Sequence, residues 1–321
     1  MSTMAIHGVA VYLPDTRLTM SHLVAEIADS AIPAALSTRA AFGEFIRDTL
    51  ALDSVPVETE LTGDEMIGEA IDQVLGDCDV DPEDIDLLVL AQEPRAGQRA
   101  NLVHYLQYRY RMSNAAVLCL SGNHCANVEV AVATVLAAAE HQSHIQNALI
   151  VSYLKPETLE RRIIGTYGVE GDCAGAVLLS RDRGSARLVD QLILTNGMLH
   201  DAGRDDDYSL VHCKYYIRIL QQLVKRNQLR GADIPHVVVQ NANPLLIQQC
   251  LSPAGLEPDA LFTDNFGRHG HLDCLDFALN LRDLLAAPER RPGPILAFGT
   301  GWAGTYVASL LQPVDSGAGD R

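Results

Sequence analysis

Short apolar runs of strand length alternate along the chain with longer segments whose apolar positions recur every three or four residues. Thr62 to Glu65 have the sequence of a capping box, and apolar residues follow them at helical spacing. The run at 87–91 (LLVLA) is typical of a buried strand. Further strands are predicted at 115–120, 148–154 and 174–180, with helices at about 102–110 and 127–142 between them. This alternation predicts an α/β fold with a largely parallel, buried sheet.

The second half of the chain repeats the same plan. It contains strand patterns at 188–195, 236–240, 295–298 and 305–311, and helix patterns at 210–227, from 244 and at 276–286. Both halves end in a small-residue turn before an apolar strand, GDCAGAVLLS at 171–180 and GTGWAGTYVASLL at 299–311. We therefore expect an internal duplication, with an N-terminal half over residues 1–180 and a C-terminal half over residues 181–321.

Composition narrows the class of protein. The 321 residues are enough for a large buried core, and 24 Lys and Arg against 41 Asp and Glu give a net charge of −17. Such an excess of carboxylates argues against general binding to nucleic acid or to an anionic membrane. The apolar runs are shorter than the ~18 residues that a membrane helix requires. Seven cysteines without a C-x-x-C spacing fit a reducing compartment, and the N-terminus lacks the pattern of a signal peptide, so we expect a cytoplasmic protein.

Two motifs suggest a nucleotide site and a metal site, but the surrounding sequence supports neither. Gly299, Gly301 and Gly304 match the spacing of a dinucleotide fingerprint, but a strand pattern follows them where that fingerprint needs a helix. The stretch RHGHLDC contains four zinc-ligating residue types: His269, His271, Asp273 and Cys274. The sequence lacks a second ligand pair at a familiar spacing, so we predict no metal site.

Cys125 is a candidate nucleophile. It lies in SGNHCAN, between a predicted strand and a long apolar helix. The partial positive charge of a helix N-terminus favours a thiolate at that position. A lone cysteine often packs as a small apolar residue instead. The residues by themselves leave these two interpretations about equally supported.

The segments in their order resemble the ketosynthase III (3-oxoacyl-acyl-carrier-protein synthase III) branch of the thiolase superfamily, along nearly the whole chain. The similar segments are IHGVAVYLPD, DPEDIDLLVLAQEP, SGNHCAN, GDCAGAVLL, VVVQNANPLLI and FGTGWAGTYVASLL. The resemblance implies a five-layer αβαβα fold built from two pseudo-repeated halves. It also implies a homodimer, because that is the usual state of the family.

The resemblance further implies site residues. Cys125 would accept an acyl group from a thioester of coenzyme A (CoA) or of an acyl carrier protein. The backbone N–H of Cys125 and one from the turn at Gly301 would form the oxyanion hole. The thioester of CoA or phosphopantetheine would be a substrate, so we expect no tightly bound cofactor. Asn243, in the stretch that matches the His-Gln-Ala-Asn segment of the family, is a secondary candidate.

Two positions depart from the family pattern. Gln240 stands where the family has its catalytic His, and His271 stands where it has its catalytic Asn. The usual His and Asn stabilise the enolate formed when a malonyl thioester loses carbon dioxide, so that reaction is in doubt here. Cys125, His271 and a carboxylate would instead form a Cys-His-Asp triad. Asp276 is the first choice for the carboxylate and Asp273 the second.

We therefore expect an acyltransferase that passes the acyl group from Cys125 to a small alcohol or amine, in secondary metabolism. One alternative is decarboxylative condensation with Gln240 and His271 as the donor pair, and another is an inactive partner subunit of a ketosynthase. The spacing does not decide whether His269 or His271 faces the cysteine. The arginines considered for contact with a carrier protein or with CoA phosphates are Arg109, Arg111, Arg161 and Arg162.

Overall fold

In the computed structural model, residues 4–95, 97–181, 183–200 and 209–314 are described. Their strands are β1 Ala5–Tyr12, β2 Arg17–Thr19, β3 Ser54–Pro56, β4 Leu87–Ala91, β5 Ala116–Leu120, β6 Asn147–Leu154, β7 Ile163–Ile164, β8 Gly168–Val169, β9 Cys173–Ser180, β10 Ala186–Thr195, β11 His236–Val239, β12 Ile295–Gly301 and β13 Thr305–Pro313. Their helices are α1 Met20–Glu26, α2 Arg39–Asp48, α3 Gly63–Cys78, α4 Leu102–Arg109, α5 Asn127–His141, α6 Ser209–Arg226, α7 Pro244–Ala254, α8 Phe266–His269 and α9 Leu275–Ala286. None of these helices is both long enough and apolar enough to span a membrane.

The central sheet has two parts, one of five strands and one of four, and the first four strands from their junction have the same pattern of relative directions in both. The full order is β11-β12-β13-β10-β1-β9-β6-β4-β5, and β1 meets β10 at one register pair, Ile6 with Ala186. On one side of that pair β1, β9 and β6 are antiparallel and β6, β4 and β5 are parallel. On the other side β10, β13 and β12 are antiparallel and β12 is parallel to β11. The chain passes from one part to the other between Ser180 and Ala186.

The expectation of a largely parallel sheet was wrong, because the sheet is mixed. A turn of three residues joins β12 to β13, and so short a connection permits only an antiparallel pair. Both faces of the central strands are buried in either arrangement. Their apolar pattern therefore does not distinguish parallel from antiparallel neighbours.

Helices lie on both faces of the two sheet parts. Apolar residues of α5 and α9 share one core with strands from both parts, which places these helices between them. Helices α3 and α4 pack on the outer face of the first part, and α6 and α7 on the outer face of the second. The molecule is therefore built of five layers, αβαβα, as the resemblance implied.

A small cap made of β2, β3, α1 and α2 has an apolar core of its own. Asp172 ties the chain just after β3 to the main body, since its Oδ2 accepts the Glu58 N–H at 2.8 Å and its Oδ1 lies 2.6 Å from Nη1 of Arg162. Arg162 is buried in this ion pair. Arg162, one of the arginines considered for contact with a carrier protein or CoA, therefore has a structural role instead.

Candidate active site

The chain presents Cys125 on a short 3₁₀ turn, His124–Ala126, that leads directly into α5. Glu93, which follows β4, holds this turn in place. Its Oε1 accepts hydrogen bonds from the N–H groups of Gly122 and His124 and from Nδ2 of Asn127. Burial raises the pKa of Glu93, but these three donors outweigh it and lower the pKa below its ordinary value. An ionised carboxylate thus fixes the nucleophile turn.

His271 lies between Cys125 and Asp276. Its Nε2 is 3.3 Å from Sγ of Cys125, and its Nδ1 is 2.5 Å from Oδ2 of Asp276. Asp276 also accepts two backbone hydrogen bonds of 2.9 Å, from the N–H groups of Asn241 and Leu272. The carboxylate is therefore fixed on three sides, and it orients the imidazole so that Nε2 faces the thiol. Thiol, base and carboxylate stand in the order of a nucleophilic triad.

The spacing in the sequence did not decide which histidine faces Cys125 or which aspartate partners that histidine, and the structure decides both. His269 lies near Arg17 and Arg268, and burial together with these cations lowers its pKa to about 4. Asp273 forms an ion pair with Arg95, with Nη2 and Oδ2 2.5 Å apart, and does not contact Nδ1 of His271. Among the described residues, His271 faces the thiol and Asp276 is its carboxylate partner.

The four residues considered as zinc ligands do not meet at one point. Cys274 Sγ lies 3.2 Å from Oγ of Ser152, inside the core, and His269 is directed elsewhere. Atoms of Cys125, His271 and Asp273 do lie within 4.8 Å of one another. Asp273 is already paired with Arg95, and His271 with Asp276, so the polar contacts of this group are accounted for without an ion.

The resting nucleophile is a thiol. Burial raises the pKa of Cys125 well above its ordinary value, and the nearby carboxylates of Asp273 and Glu170 raise it further. The expectation that the helix N-terminus favours a thiolate therefore does not hold here, because burial and two carboxylates oppose it. A base must remove the thiol proton as the sulfur attacks.

His271 is placed to be that base. Burial lowers its pKa, but the Asp276 carboxylate outweighs burial, and the net pKa is raised to about 8. Above this pH the ring is neutral, and Nε2 has a lone pair directed at the thiol. Below it the ring is protonated and has no such capacity.

Gln240 connects the two halves of the site. Its Nε2 donates to the carbonyl oxygens of Cys125 at 2.8 Å and Thr300 at 3.0 Å, and its Oε1 accepts the Thr300 N–H at 3.2 Å. The amide has no N–H left for a substrate, so the predicted donor role does not fit this geometry. Gln240 is a positioning residue that ties the nucleophile turn to the glycine-rich turn.

Asn243 also has a local role. Its Oδ1 caps α7 by accepting the N–H groups of Leu245 and Leu246, and its Nδ2 donates to the carbonyl oxygen of Thr166. A side chain with these partners stabilises the start of a helix. It lies next to the site without offering a group to a ligand.

The glycine-rich turn packs directly on the nucleophile turn. A Cβ on Gly301 would lie 2.1 Å from the carbonyl oxygen of Asn123, so only glycine fits there. Thr300 and Trp302 are the residues of this turn that line the cavity beside Cys125. Cys125 lies in the first turn before α5, where N–H groups lack intrahelical acceptors, which suits its predicted part in an oxyanion hole. The second donor, the turn at Gly301, stays a prediction.

A buried carboxyl group, Glu129, lies behind the glycine-rich turn. A Cβ on Gly299 would come 2.0 Å from its Oε1, and neither of its carboxyl oxygens has a partner among the described residues. Burial raises its pKa to about 8, with the carboxylates of Asp276 and Asp273 acting in the same direction. Glu129 is therefore protonated at neutral pH. Nothing in the apolar helix pattern around Glu129 predicted a buried, protonated carboxyl group at this position.

Cys125 and His271 line one cavity, and a second cavity lies against Arg95, the ion-pair partner of Asp273. The first, an apolar cavity of about 30 Å³, is lined by Cys125, Ile164, Tyr167, His212, Gln240, Ala242, His271, Thr300 and Trp302. Tyr167 and Trp302 meet edge to face there, with ring centroids 5.4 Å apart. Burial lowers the pKa of His212 to about 4, so this wall carries no charge at neutral pH. The second cavity, of about 200 Å³, is lined by charged side chains that include Arg95 and Glu170.

Comparison with solved structures identifies the fold. The structure matches ChlB3, described as an acyltransferase, with a TM-score of 0.78 and 21% identity over 97% of this chain and 98% of that one. It matches 3-oxoacyl-[acyl-carrier-protein] synthase III from Aquifex aeolicus with a TM-score of 0.80 and 18% identity over 96% and 99% of the two chains. Cerulenin-bound OleA from Xanthomonas campestris matches with a TM-score of 0.78 and 14% identity over 96% and 98%. The chain therefore has the thiolase fold of these proteins.

Comparisons of sequence add nothing to this result. No protein-family profile matches the chain, and a search of curated proteins gives no significant match. At identities of 14 to 21% the structural likeness establishes the fold alone. The chemistry must therefore be argued from the residues of the site.

The triad geometry predicts how acylation of Cys125 depends on pH. Because His271 must be neutral to accept the thiol proton, the acylation rate should fall about tenfold per unit as the pH drops below about 8. Asp276→Asn removes the carboxylate that raises the pKa of His271. The variant should therefore shift the inflection to lower pH and lower the plateau by about 10²- to 10⁴-fold.

The measurement is the stopped-flow rate of thiol release from an acyl thioester between pH 6 and 9.5. Asp283→Asn, on the same helix α9 but outside the triad, is the matched control, and thermal melting reports whether each variant is folded. An inflection at the same pH in Asp276→Asn would contradict the assigned role of this carboxylate.

Proposed function

We propose that the protein is an acyltransferase that takes an acyl group from a thioester onto Cys125 and passes it to a hydroxyl or amine. One observation carries the proposal: Nε2 of His271 faces the Cys125 thiol while its Nδ1 is held by Asp276. A thiol, a base and an orienting carboxylate are what acyl transfer to and from a nucleophile requires.

Both half-reactions use the same three groups. Sγ of Cys125 attacks the thioester carbonyl carbon, and its proton moves to Nε2 of His271. The carrier thiol then leaves with that proton, and the acyl group remains bound to Sγ. In the second half, His271 takes the proton of the acceptor O–H or N–H as the acceptor attacks. The Cys125 thiolate leaves and recovers the proton, so the products are the acylated acceptor and the free carrier thiol.

Transfer fits the site better than decarboxylative condensation. Condensation with a malonyl thioester needs two donors on the enolate oxygen, and Gln240 has given both amide hydrogens to backbone carbonyls. A histidine at position 271 also supplies a base that an asparagine does not provide. The fold itself does not decide between the two reactions, since it is shared with ChlB3, described as an acyltransferase, and with a 3-oxoacyl-[acyl-carrier-protein] synthase III.

The donor that we propose is a short acyl thioester of CoA or of an acyl carrier protein, with no resident cofactor. The apolar cavity beside Cys125 is small, at about 30 Å³ against about 200 Å³ for the charged cavity next to Arg95. Its walls of Ile164, Tyr167 and Trp302 suit a small apolar group.

All seven cysteines are free thiols, which supports the expected reducing, cytoplasmic environment.

Intact-protein mass spectrometry after mixing with acyl-CoAs of increasing length tests the proposal. We expect one acyl adduct per chain with the shortest donors, and an adduct that forms at least tenfold more slowly with long ones. Cys125→Ala should abolish the adduct. Cys119→Ser, which removes an exposed thiol on β5, is the matched control and should leave the adduct unchanged.

The alternatives give different results in the same experiment. Carbon dioxide release when malonyl-CoA is added to the adduct would favour condensation over transfer. Absence of an adduct with every donor, whether bound to CoA or to a carrier protein, would favour the inactive partner subunit and contradict the proposal.

We also propose that the protein is a homodimer joined along β5. This strand ends the sheet, and Leu118, with 38% of its surface exposed, is one of its outward apolar side chains. The Ala116 N–H donates to Asp86 and the Leu120 carbonyl accepts from Gln92. In a parallel pair the alternate residues, Val117 and Cys119, therefore direct their backbone groups away from β4. An unpaired apolar edge of this kind favours pairing with a second copy.

Val117→Pro tests this interface, because proline removes the outward N–H without touching a hydrogen bond to β4. Light scattering coupled to size exclusion should give twice the chain mass for the wild type and a single chain mass for the variant. Val117→Thr, which keeps the N–H and the branched shape, should remain dimeric. A monomeric wild type would refute the interface.

A further inference from the structure

His212 is a buried histidine beside the nucleophile that neither half-reaction uses. It lies in the first turn of α6 and lines the apolar cavity together with Cys125 and His271. Only 2% of its surface is exposed. Because the three side chains line one small cavity, an acyl group that fills this cavity from Sγ of Cys125 meets the His212 ring.

Aromatic side chains hold the His212 ring in place. The ring centroids of Tyr167, Tyr306, Tyr216 and Trp302 lie 5.5, 5.7, 6.0 and 6.3 Å from that of His212. Tyr167 meets the imidazole edge to face, at an interplanar angle of 82°. A ring packed on so many sides has little freedom to rotate. Its two nitrogen atoms therefore keep fixed directions.

A hydrogen bond to Tyr306 determines which nitrogen carries the proton. Oη of Tyr306 lies 2.9 Å from Nδ1 of His212 and has no other hydrogen-bond partner among the described residues. Tyr306 is fully buried, and burial raises the pKa of its hydroxyl, so this group keeps its proton and needs an acceptor. Nδ1 is that acceptor. Burial also lowers the pKa of His212 to about 4, so the ring is neutral and its single proton is on Nε2.

The Nε2–H of His212 is a donor without a partner in the protein. It makes no hydrogen bond with a described residue, and it is not sealed from the cavity. Other polar groups of the wall are already committed. Gln240 has given both amide hydrogens to backbone carbonyls, and the Thr300 hydroxyl donates to the Thr305 carbonyl. His212 therefore offers a ligand one hydrogen bond in otherwise apolar surroundings.

The surroundings of this donor favour an uncharged oxygen. The described residues that line the cavity include no arginine or lysine, and His271 is neutral whenever it acts as the base. A carboxylate would lose its hydration there without gaining a counter-ion. A keto oxygen needs only a donor, and the Nε2–H supplies one.

We infer that His212 selects the acyl group by donating its Nε2–H to a keto oxygen beyond the thioester carbonyl, so that the preferred donor is a short oxoacyl thioester. The inference rests on the proposed acylation of Cys125 and names the chemical class of its donor. The carbon atoms of the acyl group would contact the apolar wall of Ile164 and Trp302.

Acetoacetyl-CoA and butyryl-CoA test this selection, because their acyl chains have equal length and differ by one oxo group. The readout is the ratio of the two rates of adduct formation on Cys125, compared between variants so that the intrinsic reactivities of the thioesters cancel. His212→Phe keeps a ring and removes the donor, and it should lower the ratio at least fivefold in favour of butyryl-CoA. His104→Phe, at an exposed position of α4, is the matched control and should leave the ratio unchanged.

A second variant covers the case in which His212→Phe does not fold, since that change leaves the buried Tyr306 hydroxyl without its acceptor. The double variant His212→Phe with Tyr306→Phe removes both polar groups and should show the same lowered ratio. An unchanged ratio with both rates reduced would place His212 at the thioester carbonyl and overturn the inference. Faster acylation of the wild type by malonyl-CoA, whose acyl group is charged, would also overturn it.

Nitrogen-15 NMR separates failure of this inference from failure of the proposed function. Cys125→Ala protein with labelled histidine forms no acyl-enzyme, and the His212 signals are assigned by their loss in His212→Phe. Nε2 should carry the proton, and its resonance should shift with acetoacetyl-CoA and not with butyryl-CoA. This result supports the selection even if acylation is never observed. A proton on Nδ1, or a response that is absent or equal for the two thioesters, would refute it.

Discussion

The Asp276 carboxylate is the constraint on which the site depends. It is fully buried, and it tolerates burial because two backbone N–H groups and the His271 imidazole donate to it. These bonds orient His271, keep its pKa high and direct Nε2 toward the thiol. Without the carboxylate the imidazole would have neither a fixed orientation nor a raised pKa, and a thiol made less acidic by burial would have no base.

The duplicated architecture places these groups together. Cys125 precedes α5 in the first half, and Asp276 lies in the first turn of α9 in the second. Both helices lie in the central layer between the two parts of the sheet. Gln240 follows β11 and binds the backbone on both sides, at Cys125 and at Thr300. The site therefore lies at the interface between the two halves, and neither half contains a complete triad. Glycines at 299 and 301 permit close packing at this interface.

Much of the fold was accessible from the sequence, because long elements carry a strong pattern. The capping box at Thr62 and the buried run at 87–91 predicted α3 and β4 closely. The cap of β2, β3, α1 and α2 was not anticipated, since strands of three residues are too short to show a period. Cys125, His271 and Asp276 were reached through positional resemblance. Three features of the site could not be predicted from residue spacing, because they depend on burial and on neighbours distant in the sequence. They are the direction of the Gln240 amide, the thiol state of Cys125 and the buried Glu129 carboxyl group without a hydrogen-bond partner among the described residues.

The central claim is that His271 acts as the base for an acyl-Cys125 intermediate. Its most direct test is a rapid-quench measurement of free CoA after mixing enzyme with a short acyl-CoA in the absence of an acceptor. The account predicts a burst of one CoA per chain in the wild type. It predicts a burst at least a hundredfold slower in His271→Asn, because asparagine does not accept a proton. A burst of unchanged rate in His271→Asn would contradict the account.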